Sequence, residues 1–209
     1  MKRLLHIIAT PRGADSRTLK VSAVFLEELK KKYPDCAVDE LNVSTEKLPS
    51  LTVQVVEGKY VLLGGRDLTG KLKTAWKEVE RHIERFLAAD IYLVSTPMWN
   101  FSIPYTLKQY IDVILQPRYL FRYTDKGAEG LVKGRKMVVI TSRGGDYGPS
   151  SPARAYDLQE PYLKTAFGFA GISDMTFINA EPMDALGPDV CKAKISEARS
   201  KARETASRL

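Results

Sequence analysis

Apolar positions along the chain switch repeatedly between two periods. Residues 3–9 are almost unbroken in apolar character, as in a strand buried on both faces. Over residues 16–33, Leu19, Ala23, Leu26, Leu29 and Tyr33 recur at helical spacing among charged residues. Residues 37–43 alternate apolar and polar positions, as a more exposed strand does. Residues 71–89 put Leu72, Trp76, Val79, Ile83, Phe86 and Leu87 on one helical face. The pattern then predicts a strand over 90–96, a helix over 105–115, and a strand over 136–141 around Met137, Val138, Val139 and Ile140. A helix over 155–169, a strand over 175–178 and a closing helix over 188–209 follow.

Five strands alternating with helices imply a parallel sheet covered on both faces. Right-handed crossovers make the flavodoxin-like order 2-1-3-4-5 the simplest arrangement, an α/β three-layer sandwich, with the Rossmann order open from pattern alone. Residues 45–70 fit the alternation least well and read as an insertion after the second strand. Residues 116–134 form a second irregular stretch, and long loops in compact domains are often functional or interfacial. No repeat, low-complexity tract or linker divides the chain, so residues 1–209 are expected to form one domain.

The 209 residues are 44% hydrophobic and 27% charged, enough to bury a substantial core. Apolar runs fall well short of the ~18 residues of a membrane span, and the apolar stretch after Lys2 and Arg3 is too short for a signal peptide. Cys36 and Cys191 stand far apart and outside any CxxC spacing, which argues against a disulfide framework or a zinc site and for the cytoplasm. The net charge of +7 is spread partly over helices of mixed sign, the mark of solvated faces. It favours an anionic small ligand over nucleic acid.

Three loops carry the candidate chemistry, and a parallel sheet brings loops after its strands to one edge. The first, residues 10–18, holds the hydroxyls of Thr10, Ser16 and Thr18 with Arg12 and Arg17 at a helix start. Free amides and partial positive charge there suit a terminal phosphate. An N-cap at Ser16 or Asp15 is the plainer reading of the same residues. The second loop, residues 97–104, is Pro-Met-Trp-Asn-Phe-Ser-Ile-Pro. Packing alone does not call for Met98, Trp99 and Phe101 beside Asn100 where a strand reaches the surface, and these side chains suit a large flat aromatic ligand. An apolar loop packed on another subunit is the alternative, and both readings are compatible. In the third, Ser142, Arg143, Gly144, Gly145 and Tyr147 follow the fourth strand; paired glycines let backbone amides approach a ligand closely.

Other motifs point away from hydrolysis. No G-x-G-x-x-G follows the first strand. The stretch from Gly65 to Leu72 imitates a P-loop except that Leu72 replaces the magnesium-binding hydroxyl. His6 and His82 lack a triad or metal context and read as structural, with no metal site expected. No side chain is indicated as catalytic, so whatever chemistry occurs is expected to be carried by a cofactor.

Residues 97–101 with Ile103, Leu107, Lys108, Tyr110, Ile111 and Asp112 resemble the signature of FMN-dependent NADH-azoreductases, also called FMN-dependent NADH:quinone oxidoreductases. Phe121, Arg122, Tyr123 and Thr124, then Gly127, Glu129, Gly130 and Leu131, and residues 141–145 extend the likeness. So do Pro161, Tyr162, Leu163, Phe167, Gly168, Phe169, Gly171 and Ile172. The resemblance implies a flavodoxin-like homodimer with one FMN per subunit near the dimer seam. It implies NADH or NADPH as donor and quinones or azo compounds as acceptors, exchanging two electrons in ping-pong order. It gives Thr10, Ser16, Arg17 and Thr18 to the phosphate, Met98, Trp99, Asn100 and Phe101 to the flavin ring, and Ser142, Arg143, Gly144 and Gly145 to the closing wall. Phe121 and Tyr147 become candidate substrate contacts. Trp99 stands where Tyr is frequent and Thr10 where Ser is frequent, and both substitutions keep the chemical character. The competing class is a flavodoxin-type electron carrier, whose docking face is often acidic, against the +7 balance here.

Overall fold

A computed structural model describes residues 2–209. Five parallel strands form one sheet in the order β2-β1-β3-β6-β7: β1 (Arg3–Ile8), β2 (Ala37–Asn42), β3 (Ile91–Pro97), β6 (Lys136–Ser142) and β7 (Asp174–Ala180). The order is the expected one, with an additional antiparallel hairpin, β4 (Phe121–Thr124) and β5 (Gly127–Gly130), in the stretch read as irregular.

The sheet separates two cores. On one face lie α2 (Val53–Leu63), α3 (Gly70–Leu87), α4 (Tyr105–Ile114) and α5 (Gln159–Ala170), with Trp76, Val79, Ile83, Phe86, Leu107 and Phe167 packed on Leu5, Tyr92, Val94 and Val139. On the other, α1 (Arg17–Lys32) and α6 (Pro188–Arg208) cover Leu4, Leu93, Val138 and Ile140. Adjacent residues such as Leu93 and Val94 thus face opposite cores, which is why the central strands read as continuous apolar runs. The charge-rich α6 buries only Ala198, Ala202 and Ala206, a row at four-residue spacing whose small side chains let it lie close on α1.

Helix α2 was not expected. Its apolar residues go all round: Val55 and Leu62 are buried, while Val53, Val56, Tyr60 and Leu63 are exposed, so no helical stripe announced it. Thr52 caps it by accepting from the Val55 N–H at 3.4 Å. Gly58 permits its contact with α3, because a Cβ there would come within 2.1 Å of the Trp76 indole nitrogen, which donates to the Val55 carbonyl at 3.0 Å. The Gly65–Leu72 stretch therefore joins helix to helix rather than strand to helix, and lacks the context of a P-loop. Helix α5 begins at Gln159, four residues later than expected. Asp157 accepts from the N–H groups of Gln159 and Glu160 at 3.0 and 3.1 Å and so sets the start.

Candidate active site

A cavity of about 190 Å³ opens at the carboxyl edge of the sheet. Thr10, Arg12, Ser16 and Arg17 line it from the loop after β1. Pro97, Met98 and Trp99 line it from the loop after β3, and Ser142, Arg143 and Gly144 from the loop after β6. The three loops singled out from sequence thus meet around one space.

The first loop is a helix start built of short polar contacts. Ser16 caps α1 by accepting from the Leu19 N–H at 3.4 Å, and its hydroxyl shares a 2.8 Å hydrogen bond with that of Thr18. The cap and the ligand-binding readings coexist, because the N–H groups of Arg17 and Thr18 have no partner among the described residues. Thr18 itself is buried behind Ser16 rather than on the cavity wall.

The second loop is a tight turn. Trp99 and Ser102 exchange both backbone hydrogen bonds, at 2.9 and 3.0 Å, and the central residues Asn100 and Phe101 are left-handed at φ 46° and 71°. Both central residues at positive φ is the geometry of a type I′ turn, which favours Asn and Gly. Asn100 suits it; a bulky side chain such as Phe101 pays about 1–2 kcal/mol there. Strain of this kind persists where the surroundings over-determine it, commonly at functional sites. The turn leaves the N–H groups of Asn100 and Phe101 without partners among the described residues, and leaves Trp99 39% and Phe101 46% exposed. Phe101 meets Tyr147 edge-on at 6.5 Å and Tyr156 at 5.5 Å, so Tyr147 stands at the rim.

In the third loop the N–H groups of Gly144 and Gly145 are likewise unpartnered among the described residues. The Gly144 carbonyl accepts from Met183, Asp184 and Ala185, which draws the loop after β7 into the site. Asp184 lines the cavity, and its carboxylate takes a hydrogen bond from Arg17 at 2.7 Å. Sequence reasoning passed over Met183 and Asp184. The signal available was position alone, since a loop after a fifth parallel strand must reach the same edge.

Thr10, Arg12, Ser16 and Arg17 and the unpaired amides of Arg17 and Gly144 lie on the wall of one cleft, while the unpaired amides of Thr18, Asn100, Phe101 and Gly145 belong to the same three loops just off that wall. This donor-rich set is suited to a phosphate at one end and the polar edge of a flat ring at the other. Residues 2–206 match Flavodoxin_2, a family of flavodoxin-like fold. An FMN-dependent NADH:quinone oxidoreductase of Nitratidesulfovibrio vulgaris is 39% identical over 206 residues, covering 99% of both chains. A second, from Pseudomonas syringae pv. tomato, is 37% identical over 97% of each. The chain belongs to the FMN-dependent NADH:quinone oxidoreductase family. Among solved structures, an azoreductase from Bacillus anthracis strain Sterne superposes with a TM-score of 0.90 at 28% identity, covering both chains completely. An FMN-dependent NADH-azoreductase from Bacillus anthracis strain Ames Ancestor, in complex with FMN, does so at 0.84 and 30%, covering 99% of this chain and all of the other.

Within this family member, Thr18, Asn100, Phe101, Gly145 and Tyr147 lie off the cavity wall, with Asn100 lining a neighbouring hollow beside Tyr105 and Tyr162. Phe121 and the Arg143 side chain fall elsewhere altogether. Phe121 does not line the cavity; it is buried in the hairpin against Phe169, 4.7 Å away, and Tyr123. Arg143 contributes to the wall, but its side chain is wholly buried behind it. There it donates to Gln159 Oε1 and Asp157, both at 3.1 Å, and lies 3.6 Å from Glu181 and 3.7 Å from Glu160. A guanidinium already committed to three carboxylates is not a free ligand-binding charge. Burial pulls the Glu160 carboxyl up, but hydrogen bonds from Lys164 and Asn179 with the charges of Lys164 and Arg143 outweigh it and hold the group below the usual range.

A second polar network runs beneath the first loop and is neutral. His6 Nε2 meets Ser95 Oγ at 2.8 Å, Ser95 meets Ser22 at 2.6 Å, and Ser22 donates to the Thr18 carbonyl at 2.9 Å. Donation in one direction from His6 Nε2 satisfies both serine hydroxyls, while the buried His6 Nδ1 has no hydrogen-bond partner among the described residues. Burial pushes the His6 pKa down to about 4. The Glu40 carboxylate 3.8 Å from Nδ1 is too exposed and too far to hold a proton there. Both histidines are structural in position: His82 is buried on α3, with its pKa lowered by burial and by Arg81.

Proposed function

We propose that this chain binds one FMN per subunit in the carboxyl-edge cavity and, as a cytoplasmic homodimer, reduces quinones or aromatic azo compounds with NADH or NADPH. The observation that carries the reading is the meeting of three loops around one cleft, each loop carrying unpaired backbone amides and the second a strained aromatic turn, in a chain of this family. Bound FMN supplies two-electron hydride chemistry that no side chain here provides. Thr10, Ser16 and the amides of Arg17 and Thr18 would receive the phosphate, with Arg12 and Arg17 balancing its charge. Met98 and Trp99 would face the ring, and the amides of Asn100, Phe101, Gly144 and Gly145 its polar edge, where donors stabilise negative charge. Ser142 would stand at the inner end of the ligand.

The exposed faces of Trp99, Phe101 and Tyr156, with the half-buried Tyr147, form an apolar rim suited to flat acceptors. They exclude water and orient the acceptor against the ring rather than react with it. Phe121 enters substrate binding only across a dimer seam, being buried away from this chain's own cavity.

The test is purification followed by FMN titration and then oxidation of NADH with menadione as acceptor. A yellow protein that oxidises NADH with menadione and with methyl red is the expected result. A folded protein that takes up no FMN overturns the reading. FMN uptake without NADH or NADPH oxidation leaves an electron carrier instead.

A further inference from the structure

The strained turn 99–102 is held by one short segment on a different part of the chain, residues 157–159, which bonds the central residue Phe101 and the strand end Pro97 just before the turn. The Leu158 N–H, shared with the Tyr156 carbonyl, donates to the Phe101 carbonyl at 3.0 Å. The Gln159 side-chain amide donates to the Pro97 carbonyl at 2.8 Å. Gln159 is fully buried, and its other amide atom accepts from Arg143 Nε at 3.1 Å, which fixes which way the amide points. Asp157, between Arg143 and Arg154, caps α5 with its second oxygen. Glu181 meanwhile accepts from the Tyr147 N–H at 3.0 Å while lying 3.6 Å from Arg143. One buried cation therefore joins the ends of β3, β6 and β7 to the start of α5.

We propose that Gln159, oriented by Arg143, is a positioning residue: it clasps the turn 99–102 and holds Asn100 and Phe101 left-handed with their amides presented to the ligand. This rests on the FMN-binding reading for its consequence, but the clasp itself concerns the free protein. A turn whose second central residue is Phe does not keep positive φ for its own sake; glycine there would. Held open at Pro97 and Phe101, the turn offers two donors already in place, and preorganised donors bind without an ordering cost. Gln159 touches neither the cavity nor a ligand, so its removal acts through the loop it holds and through Arg143, from whose Nε it also accepts.

The decisive variant is Gln159→Met, which keeps the volume and removes both hydrogen bonds. Amide exchange of Trp99 and Ser102, the two N–H groups that close the turn, is measured in the ligand-free protein. FMN dissociation is measured by quenching of flavin fluorescence. Exchange should quicken about tenfold and FMN should bind about tenfold more weakly, the equivalent of one lost net hydrogen bond. In a Phe101→Gly background, where left-handed backbone costs nothing, adding Gln159→Met should change exchange less than about threefold. Equal effects of Gln159→Met in both backgrounds would show a general loosening rather than a clasp and overturn the proposal. So would unchanged exchange in a folded Gln159→Met protein. If the wild-type chain takes up no FMN, the functional reading fails, while the exchange measurements still decide the clasp.

Discussion

The loops after β1 and β3 face each other across the cavity and are supported in opposite ways. The first is a helix start whose free amides exist because every helix has them, and what lies beneath is a neutral relay of His6, Ser95 and Ser22 ending on Thr18. The second is a left-handed turn that its own residues disfavour, held from outside by Leu158 and Gln159 and backed by the buried ion cluster of Arg143. A phosphate can be met by geometry that comes free with a helix. Aiming amides at a ring edge requires a backbone shape that must be enforced, and the enforcing charges are bought with desolvation. The half of the site that looks simplest in sequence is therefore the sturdier one.

The largest break in this contrast is Arg143→Met. It leaves Asp157, which is 1% exposed in its side chain, and two mostly buried glutamates without their shared cation. Removing one partner of a buried ion pair costs about 3–5 kcal/mol. Ser95→Ala in the neutral relay removes one hydroxyl and costs about 1–2 kcal/mol. Urea unfolding of the two variants at pH 7.5 measures both. If Arg143→Met is no worse than Ser95→Ala, the charged cluster is not what holds the second loop.

The same contrast governs how much was legible beforehand. The sheet order and the three loops could be read because buried parallel strands write continuous apolar runs, and their ends share one edge. Thr10, Ser16, Met98, Trp99 and Gly144 were found because loop position and side-chain type agreed. Arg143 was read as a ligand residue because an arginine beside a Gly-Gly pair looks available. Its true partners, Asp157, Gln159, Glu160 and Glu181, come from two other segments, and no local pattern ties them to it. Helix α2 escaped because apolar residues lie all round it, so that periodicity had nothing to detect. Asp184 escaped because it is brought to the cavity by the bonds of residues 183–185 to the Gly144 carbonyl and by its own pairing with Arg17, contacts that no local pattern links to it.

Acid should separate the two supports by pH window. His6 has a folded pKa of about 4, below the ordinary 6.5, so the unfolded chain takes up its proton first as pH falls. Its contribution is complete above about pH 6.5 and is lost progressively down to about pH 4, a total of about 3 kcal/mol. Glu160 is held below its ordinary 4.5, so its contribution is present above that value and lost only as pH falls beneath it. Unfolding free energies measured from pH 7.5 to 4.5 should fall more steeply in the wild-type chain than in His6→Gln, which has no proton to gain. Parallel slopes would mean that the neutral relay admits water and is not the dry support its geometry describes.

The smallest effect tests whether the first loop is as self-sufficient as it looks. Asp184 is the one carboxylate on the cavity wall, and it holds Arg17 at 2.7 Å from a half-exposed position, its side chain 65% accessible. An ion pair so wet contributes less than about 1 kcal/mol to stability. Asp184→Asn keeps an oxygen for Arg17 and should leave the unfolding midpoint nearly unchanged. Its charge still opposes a phosphate bound at the start of α1. At a separation of several ångströms in water, partly screened by salt, that opposition is a few tenths of a kcal/mol. FMN should thus bind about twofold tighter to Asp184→Asn at low salt, with the gain fading as salt is added, while riboflavin, which lacks the phosphate, binds as before. A loss of affinity for both ligands would instead make Asp184 a direct acceptor for the hydroxyls that FMN and riboflavin share. The first loop would then depend, like the second, on a residue supplied from elsewhere in the chain.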